Sequence, residues 1–372
     1  MIILSSLAGV AQTDSIEVRN LQLTADFRFR LEQDWNSRDA NGILRDDRTR
    51  LRYRFRFGLN YQLDKYSSFG GRIRTGNIDE QQGPHLTLGG GNGEFGLTQL
   101  GFEKLYYQFK RKGFQAWVGK NTIHIKKINE LFWNDNVFPE GLALKYAIPL
   151  KQTKILDELN MSAAHFVIKS NNSDFLNDAY MQVAQIEFKM LDNKLSLFPG
   201  FYYFHQLGNI PDQKHQYLLD YKILHLGSEL NISKKQDIRL SAEAYINMSN
   251  YDNRSEIPMQ LRDQKNGFVI TAKYGKLKKK GDFIVDLYYA YLERFAIVDY
   301  FAQNDWARWD YSSFDANGSR LSNFHGVELR IGYAFKEKFN LILRAYQVEQ
   351  LVAEGLNTEN GSRLRLDLNI GF

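Results

Sequence analysis

The chain has 372 residues, of which 48 are basic and 43 acidic, with no cysteine, 6 prolines, 21 tyrosines and 14% aromatic residues. Its mean hydropathy is -0.45, and it lacks the roughly 18 to 20 consecutive apolar residues of a spanning helix, which excludes a bundle of membrane helices. A net charge of +5 is too small to indicate nucleic-acid binding, and the absence of cysteine excludes a disulfide framework and a thiolate metal site.

A transmembrane β-barrel fits this composition because alternation hides its hydrophobicity, while tyrosine and phenylalanine are over-represented. Residues 1–11, MIILSSLAGVA, form a short apolar run in which Gly9 and Ala11 are placed as a signal peptidase requires, although no basic segment precedes the run. We therefore predict a signal-peptide remnant at 1–11 and one barrel domain at 12–372. The alternative for the first segment is an ordinary buried strand.

The first strands show the pattern most clearly. In the segment 21–31 every odd position is apolar, which is the period of two of a strand with one wet face. In the segment 51–63 apolar residues alternate again with polar ones, among them Arg52, Arg54 and Arg56. This second segment is long for a globular strand, whereas a strand tilted across a bilayer needs roughly 9 to 11 residues for the hydrocarbon alone.

Similar segments continue to the end of the chain. They lie near 68–75, 102–110, 114–122, 142–148, 159–169, 179–189, 194–205, 216–232, 238–248, 267–275, 283–292, 326–335, 339–346 and 363–372. The connections alternate in length, as in barrels with short periplasmic turns and long extracellular loops. The sequence thus predicts an all-β fold, a closed antiparallel transmembrane β-barrel of about 16 strands with both termini on the periplasmic side; 18 strands is the alternative.

Prolines and the last strand refine this prediction. All prolines except Pro199 fall in predicted connections, where a missing N–H costs no ladder bond. Pro199 lies within the ninth predicted strand, so we expect a bulge there or a shorter strand. The last strand alternates as far as Phe372, and a terminal aromatic residue on an amphipathic strand resembles the signal of the barrel-assembly machinery. That machinery and outer-membrane lipid are the partners expected for a bacterial outer-membrane protein.

Arginine is the residue type in this pattern that indicates a function. A charge facing the bilayer midplane costs about 2 to 4 kcal/mol, so arginines on the polar faces of the strands are expected to point into the lumen. Those singled out as a solute pathway are Arg28, Arg30, Arg52, Arg54, Arg56, Arg72, Arg74, Arg330, Arg344, Arg363 and Arg365.

A ladder of arginines in a narrow aqueous pore attracts anions, because low-dielectric walls focus the field and guanidinium pairs well with carboxylate. We therefore predict a porin that passes anionic or polar small solutes, with sugar acids and anionic oligosaccharides as candidates. The alternative for these arginines is a bracing network with Asp26, Glu32, Glu103, Glu328 and Asp367. The alternative for the protein is a binding or adhesion barrel that uses its external loops and has an occluded lumen.

The longest predicted loop, 293–325, is rich in aromatic residues. Trp306, Trp309 and Tyr311 are candidates for a constriction that stacks on sugar rings. The alternative is that these side chains belong to an outer aromatic girdle or pack the loops together.

Catalysis and cofactor binding have little support in the sequence. The seven histidines show no metal-ligand spacing, and neither an HExxH motif nor a nucleophile elbow occurs. The tetrapeptide Asn-Gly-Ser-Arg at 317–320 and 360–363 resembles the serine region of outer-membrane phospholipases, but no histidine lies two residues before either serine. We predict no enzyme activity, no cofactor and no metal.

Three arginine-containing stretches resemble the alginate-export family of outer-membrane porins. They are 27–32 (FRFRLE), 47–54 (DRTRLRYR) and 69–76 (FGGRIRTG), with a weaker match at 118–120 (VGK). The resemblance implies a monomeric barrel whose electropositive constriction passes a uronic-acid polymer or a similar anion.

Overall fold

The structure is a computed structural model, and it describes residues 20–91, 93–150, 155–171, 174, 177–208, 218–306, 322–353 and 355–371. The predicted signal-peptide remnant at 1–11, the loop aromatics Trp309 and Tyr311, and the terminal Phe372 lie outside these residues. In the part of the chain described, no helix has the length and apolar character needed to cross a membrane.

Strands make up nearly all of the regular structure, together with two single 3₁₀ turns at Met259–Leu261 and Asp299–Phe301. The strands are β1 (Leu21–Arg38), β2 (Arg48–Gln62), β3 (Ser67–Thr75), β4 (Leu86–Thr87), β5 (Leu100–Arg111), β6 (Phe114–Lys120), β7 (Glu140–Pro149), β8 (Leu156–Lys169), β9 (Ala179–Met190), β10 (Leu195–Gly208), β11 (Leu218–Ser233), β12 (Ile238–Asn247), β13 (Asn266–Gly275), β14 (Phe283–Leu292), β15 (Phe324–Lys336), β16 (Phe339–Gln350) and β17 (Asn360–Gly371).

The sheet closes on itself. Each long strand pairs antiparallel with its neighbours in the chain, and β17 pairs with β1, for example at Arg30 and Asp367. The two-residue strand β4 pairs only with β2, opposite Arg52 and Tyr53, beyond the point where β3 has ended. The remaining sixteen strands form the barrel. The predicted closed antiparallel fold and the count of 16 are therefore confirmed, and the alternative of 18 is wrong.

Side chains alternate between the two faces of the wall as the sequence predicts. On β2, Leu51, Phe55 and Leu59 are 40%, 36% and 44% exposed on the outside, whereas Arg54 and Arg56 are 6% and 8% exposed. This alternation follows from the pleat, because successive Cβ atoms point to opposite faces of a strand. The outside of the barrel is therefore apolar, and the polar side chains point into the lumen.

The two ends of the barrel differ. One end, here called the turn end, carries tight connections such as Lys112–Gly113, in which both residues have positive φ. The other end, the loop end, carries the long connections. There β1 continues to Arg38 and β2 begins at Arg48, beyond the predicted limits of 31 and 51. An ion pair between Asp34 and Arg48 accompanies this extension.

Pro199 lies within β10 without a bulge. In the pairing of β10 with β9, Leu197 lies opposite Phe188 and Gly200 lies opposite Gln185, so the register is the same before and after Pro199. The pairing is interrupted only between these two pairs. Proline therefore costs the ladder local hydrogen bonds but does not insert a residue. The bulge predicted at Pro199, and the shorter strand offered as its alternative, are both wrong.

The hydrophobic core lies inside the barrel. It joins inward apolar residues of the strands from β6 to β16, among them Trp117, Tyr202 and Tyr245, with two connections that fold into the lumen. These connections are the inward loop, residues 121–139, and the β14–β15 loop, described at 293–306 and 322–323. Such filling of the lumen leaves open space mainly against the opposite wall, which consists of β1, β2, β16 and β17.

We expect Gly227→Ala to destabilise the barrel by about 1 to 3 kcal/mol, the usual cost of overpacking. A Cβ at Gly227 would lie 1.9 Å from Cε2 of the buried Phe198 ring, which has to shift. The matched control is Gly96→Ala, because nothing lies within 4 Å of the added atom. Urea unfolding in detergent micelles measures both; equal midpoints would contradict the prediction.

Candidate functional site

A cavity of about 960 Å³ lies within the barrel, lined on one side by eleven arginines and on all sides by only seven carboxylates. The set of arginines is called here the arginine wall and consists of Arg28, Arg30, Arg48, Arg50, Arg52, Arg54, Arg56, Arg330, Arg344, Arg363 and Arg365. Most of these side chains lie on β1, β2, β16 and β17, which closure makes neighbours.

Two of the predicted pathway residues lie elsewhere. Arg72 and Arg74 do not line the cavity but pair with Glu103, with a distance of 3.7 Å from Arg74 Nε to the carboxylate. Arg74 also donates hydrogen bonds to the carbonyls of Glu80 and Gly83. Arg74 therefore braces the connection after β3, because backbone carbonyls of that connection accept its hydrogen bonds, whereas Arg72 links β3 to β5 through Glu103.

Sequence analysis missed two members of the wall. Arg48 and Arg50 line the cavity because β2 begins three residues earlier than predicted. A signal was present, since both lie at even positions and thus on the same face as Arg52. The predicted strand instead begins at Leu51, the first apolar residue of its alternation.

Carboxylates on the strands neutralise part of the wall. Glu32 lies 2.7 Å from Arg50 and 3.4 Å from both Arg30 and Arg52. Asp367 accepts hydrogen bonds of 2.6 and 3.0 Å from Arg30 across the seam that closes the barrel. Because these pairs link β1 to β2 and to β17, they stabilise closure of the barrel as well as neutralising part of the positive charge in the lumen.

Donors on the wall still outnumber acceptors. In the part of the chain that the structure describes, the buried Nε atoms of Arg50, Arg52, Arg54 and Arg365 have no hydrogen-bond partner. An unpaired buried donor is costly, and these donors belong to side chains that line the cavity.

Three loops form the other side of the cavity. Gln82, in the connection between β3 and β5, donates hydrogen bonds of 2.7 and 3.0 Å to the carbonyls of Ala302 and Tyr300. The inward loop joins them through the amide of Asn134, which donates to the carbonyl of Phe301 at 2.8 Å. The loops therefore hold one another in place over the wall.

Phe132 anchors the inward loop to the far wall. Its ring centroid lies 4.5 Å from that of Tyr202 and 5.2 Å from that of Tyr245, with which it stacks. Asn129 donates to the carboxylate of Glu243 nearby, and Lys126 donates to Glu229 at 2.8 Å. These contacts cover the lumen face of β10 to β12. The lumen is thus filled by the segment 121–139 as well as by residues 293–306, and the apolar residues of 121–139 are the sequence signal for this role.

Trp306 is buried among other aromatic side chains. It is 1% exposed and packs against Phe324 and Tyr346, with centroids 5.8 and 5.7 Å away. It borders a second cavity of about 320 Å³ behind the inward loop rather than the arginine cavity. The other two constriction candidates, Trp309 and Tyr311, lie in a part of the chain that is not described.

One histidine lines the cavity. His85 lies in the connection between β3 and β5, and burial together with the positive charge of Arg30 and Arg28 lowers its pKa well below the usual range. His85 is therefore neutral near pH 7, and the charge of the cavity comes from arginines and carboxylates. Within the described ranges, no group of three or more histidine, aspartate or glutamate side chains is arranged to hold a metal ion.

The lowered pKa of His85 predicts a pH-dependent contribution to stability. The unfolded histidine takes up a proton near pH 6.5 but the folded one does so only at lower pH, so stability is lost as the pH falls below about 6.5. We expect His85→Gln to show a smaller drop in unfolding free energy between pH 7.5 and pH 5 than the unaltered protein, measured by urea unfolding in micelles. An identical drop in both would contradict this assignment.

Comparison with known proteins gives no match at the level of sequence, since neither a family model nor a curated protein matches this chain. Solved structures do match in fold. Pseudomonas putida OprB at high pH has a TM-score of 0.56 at 10% identity, covering 95% of this chain and 94% of that chain. Salmonella typhi OmpF in complex with daunomycin gives 0.55 at 10% identity, covering 95% and 97%. A triple mutant of the Rhodopseudomonas blastica porin gives 0.52 at 10% identity, covering 94% and 100%. The chain thus has a porin fold.

Proposed function

We propose that this protein is an outer-membrane channel for anionic or polar solutes, sugar acids among them, which pass along the arginine wall. The observation that carries the proposal is the excess of guanidinium groups over carboxylates around a cavity of about 960 Å³. No step of chemistry on the solute is involved, and the protein is proposed to act as a passive pathway.

The outer surface of the barrel supports the proposal that the protein lies in a membrane. Large apolar side chains are exposed on successive strands, for example Leu226 on β11, Ile270 on β13 and Leu287 on β14. Monomeric soluble proteins rarely expose contiguous apolar patches above a few hundred Å², whereas barrels in an outer membrane carry an apolar band about 25 Å tall. Lipid is therefore the partner proposed for this surface.

The wall supports a preference for anions. Arginine keeps its charge at any physiological pH, and its planar fork matches the two oxygens of a carboxylate. Within low-dielectric walls the field of several such groups is focused on the space between them, which raises the local concentration of anions and lowers that of cations. The resemblance of the first strands to the alginate-export family extends the candidate solutes to uronic-acid polymers.

A specific observation favours a second candidate, a barrel that binds a partner through its loops with an occluded lumen. The inward loop and the β14–β15 loop place buried aromatic residues such as Phe132, Phe295 and Phe301 inside the barrel, which leaves less space for solutes. Steady conductance in a planar bilayer distinguishes the candidates: a closed baseline supports the second, and a steady current with anion preference supports the first.

We expect Arg52→Glu with Arg54→Glu to shift the reversal potential in a KCl gradient toward cation selectivity, because two fixed positive charges of the cavity become negative. The matched control is Lys278→Glu with Lys279→Glu. It makes the same change of net charge at exposed positions of the β13–β14 turn, so its selectivity should stay close to that of the unaltered protein. Unchanged selectivity in the first double variant would leave those arginines as bracing and contradict the proposed pathway.

A further inference from the structure

Asp305 reaches the arginine wall from the β14–β15 loop. Its carboxylate contacts Arg365 Nη1 directly and lies 3.7 Å from Arg344 Nη1 and 3.8 Å from Arg363 Nη1. Gln303, two residues earlier, donates a hydrogen bond of 2.9 Å to the same carboxylate. All three arginines are buried. One loop carboxylate therefore lies among three guanidinium groups of the proposed pathway.

The origin of this carboxylate distinguishes it from the others. In the described part of the chain, the other carboxylates paired with the wall lie on strands of the barrel, as do Glu32, Asp34, Glu328 and Asp367. A strand carboxylate is fixed on both sides by the hydrogen-bonded ladder. Asp305 lies on a loop outside the ladder, and its main-chain carbonyl accepts a hydrogen bond of 3.4 Å from Arg363. Its carboxylate can therefore leave the wall by a rotation of the side chain, without breaking the barrel.

Two of the three arginines also hold donors that Asp305 does not use. Arg344 Nη2 and Arg365 Nε are buried and have no hydrogen-bond acceptor among the described residues. A single carboxylate that is also bonded to Gln303 cannot serve all of these donors. A sugar acid brings two carboxylate oxygens and several hydroxyl groups, which are acceptors of the kind that these atoms lack.

We infer that Arg344, Arg363 and Arg365 form a carboxylate-binding subsite in which Asp305 is an internal ligand, and that the carboxylate of a passing sugar acid takes the place of Asp305. The inference rests on the proposed function and names the site at which the anionic solute binds. The exchange replaces one carboxylate by another, so the buried guanidinium groups never lose their counter-charge, whose removal is strongly destabilising. A neutral sugar has no such exchange available.

Currents through single channels in the presence of D-glucuronate test this inference. A tethered competitor acts at an effective concentration in the mM range, so its removal strengthens binding of the free competitor. We expect Asp305→Asn, which keeps shape and removes charge, to lower the half-blocking concentration of glucuronate by about tenfold. Asp305→Glu should remain close to the unaltered protein because it keeps a carboxylate. D-glucose, which has no charge, should give no comparable block in any variant.

Asp79→Asn is the matched control. Asp79 lines the same cavity, and no ion pair of its carboxylate is found within the described residues, so this variant removes an equal charge without freeing the three arginines. An equal change in both variants would overturn the inference, because it would reduce the effect of Asp305 to general electrostatics. Anion preference in the unaltered protein would still stand in that case, whereas its absence would refute the proposed function itself.

A variant of the wall keeps the test decisive if Asp305→Asn fails to assemble. Arg344→Gln removes one guanidinium of the subsite, while Arg330 remains 3.0 Å from Glu328 to hold that carboxylate. We expect the half-blocking concentration of glucuronate to rise severalfold. An unchanged value would overturn the inference independently of Asp305.

Discussion

The closed hydrogen-bonded ladder is the constraint on which the rest of this structure depends. Because β17 pairs with β1, the sheet has no free edge, and each strand presents alternate side chains to the outside and to the lumen. Charged residues therefore accumulate inside, where they have to be paired or solvated. Closure also joins the two ends of the chain, so arginines of β1, β2 and β17 that are far apart in the sequence form one continuous wall.

The lumen is divided by this arrangement into two different surfaces. On the side of β6 to β14, apolar residues of the strands and the inward loop pack into a core, with Phe132 in contact with Tyr202 and Tyr245. On the other side, the arginine wall faces an open cavity. The packed side holds the loops in fixed positions, and the open side presents the positive charge of the arginines. Bracing and the proposed attraction of anions are thus not exclusive, because the same carboxylates fix the guanidinium groups and leave part of their charge uncompensated.

Asp305 illustrates how such a site avoids the cost of buried charge. Guanidinium groups at the positions of Arg363 and Arg365 need a counter-charge at all times, yet a pathway also requires that a solute can bind them. In the proposed exchange a carboxylate on a loop satisfies both conditions, since it neutralises the site when no solute is bound and gives way to a solute carboxylate that brings further acceptors. Fixed carboxylates such as Asp367 pair with Arg30 across the closing seam and with Arg365 at 3.4 Å, and they stay in place as part of the barrel.

The sequence by itself determined the barrel. The period of two along each strand and the alternation of short and long connections were sufficient to predict its sixteen strands. The period of two also predicted the inward direction of Arg54 and Arg56, because the pleat repeats the same local geometry along every strand. Only the tertiary structure decided that Arg72 and Arg74 pair with Glu103 away from the cavity, and that the segment 121–139 folds into the lumen. Loops have no period, and their positions depend on contacts such as that of Phe132 with distant strands, so no pattern along the chain specifies them.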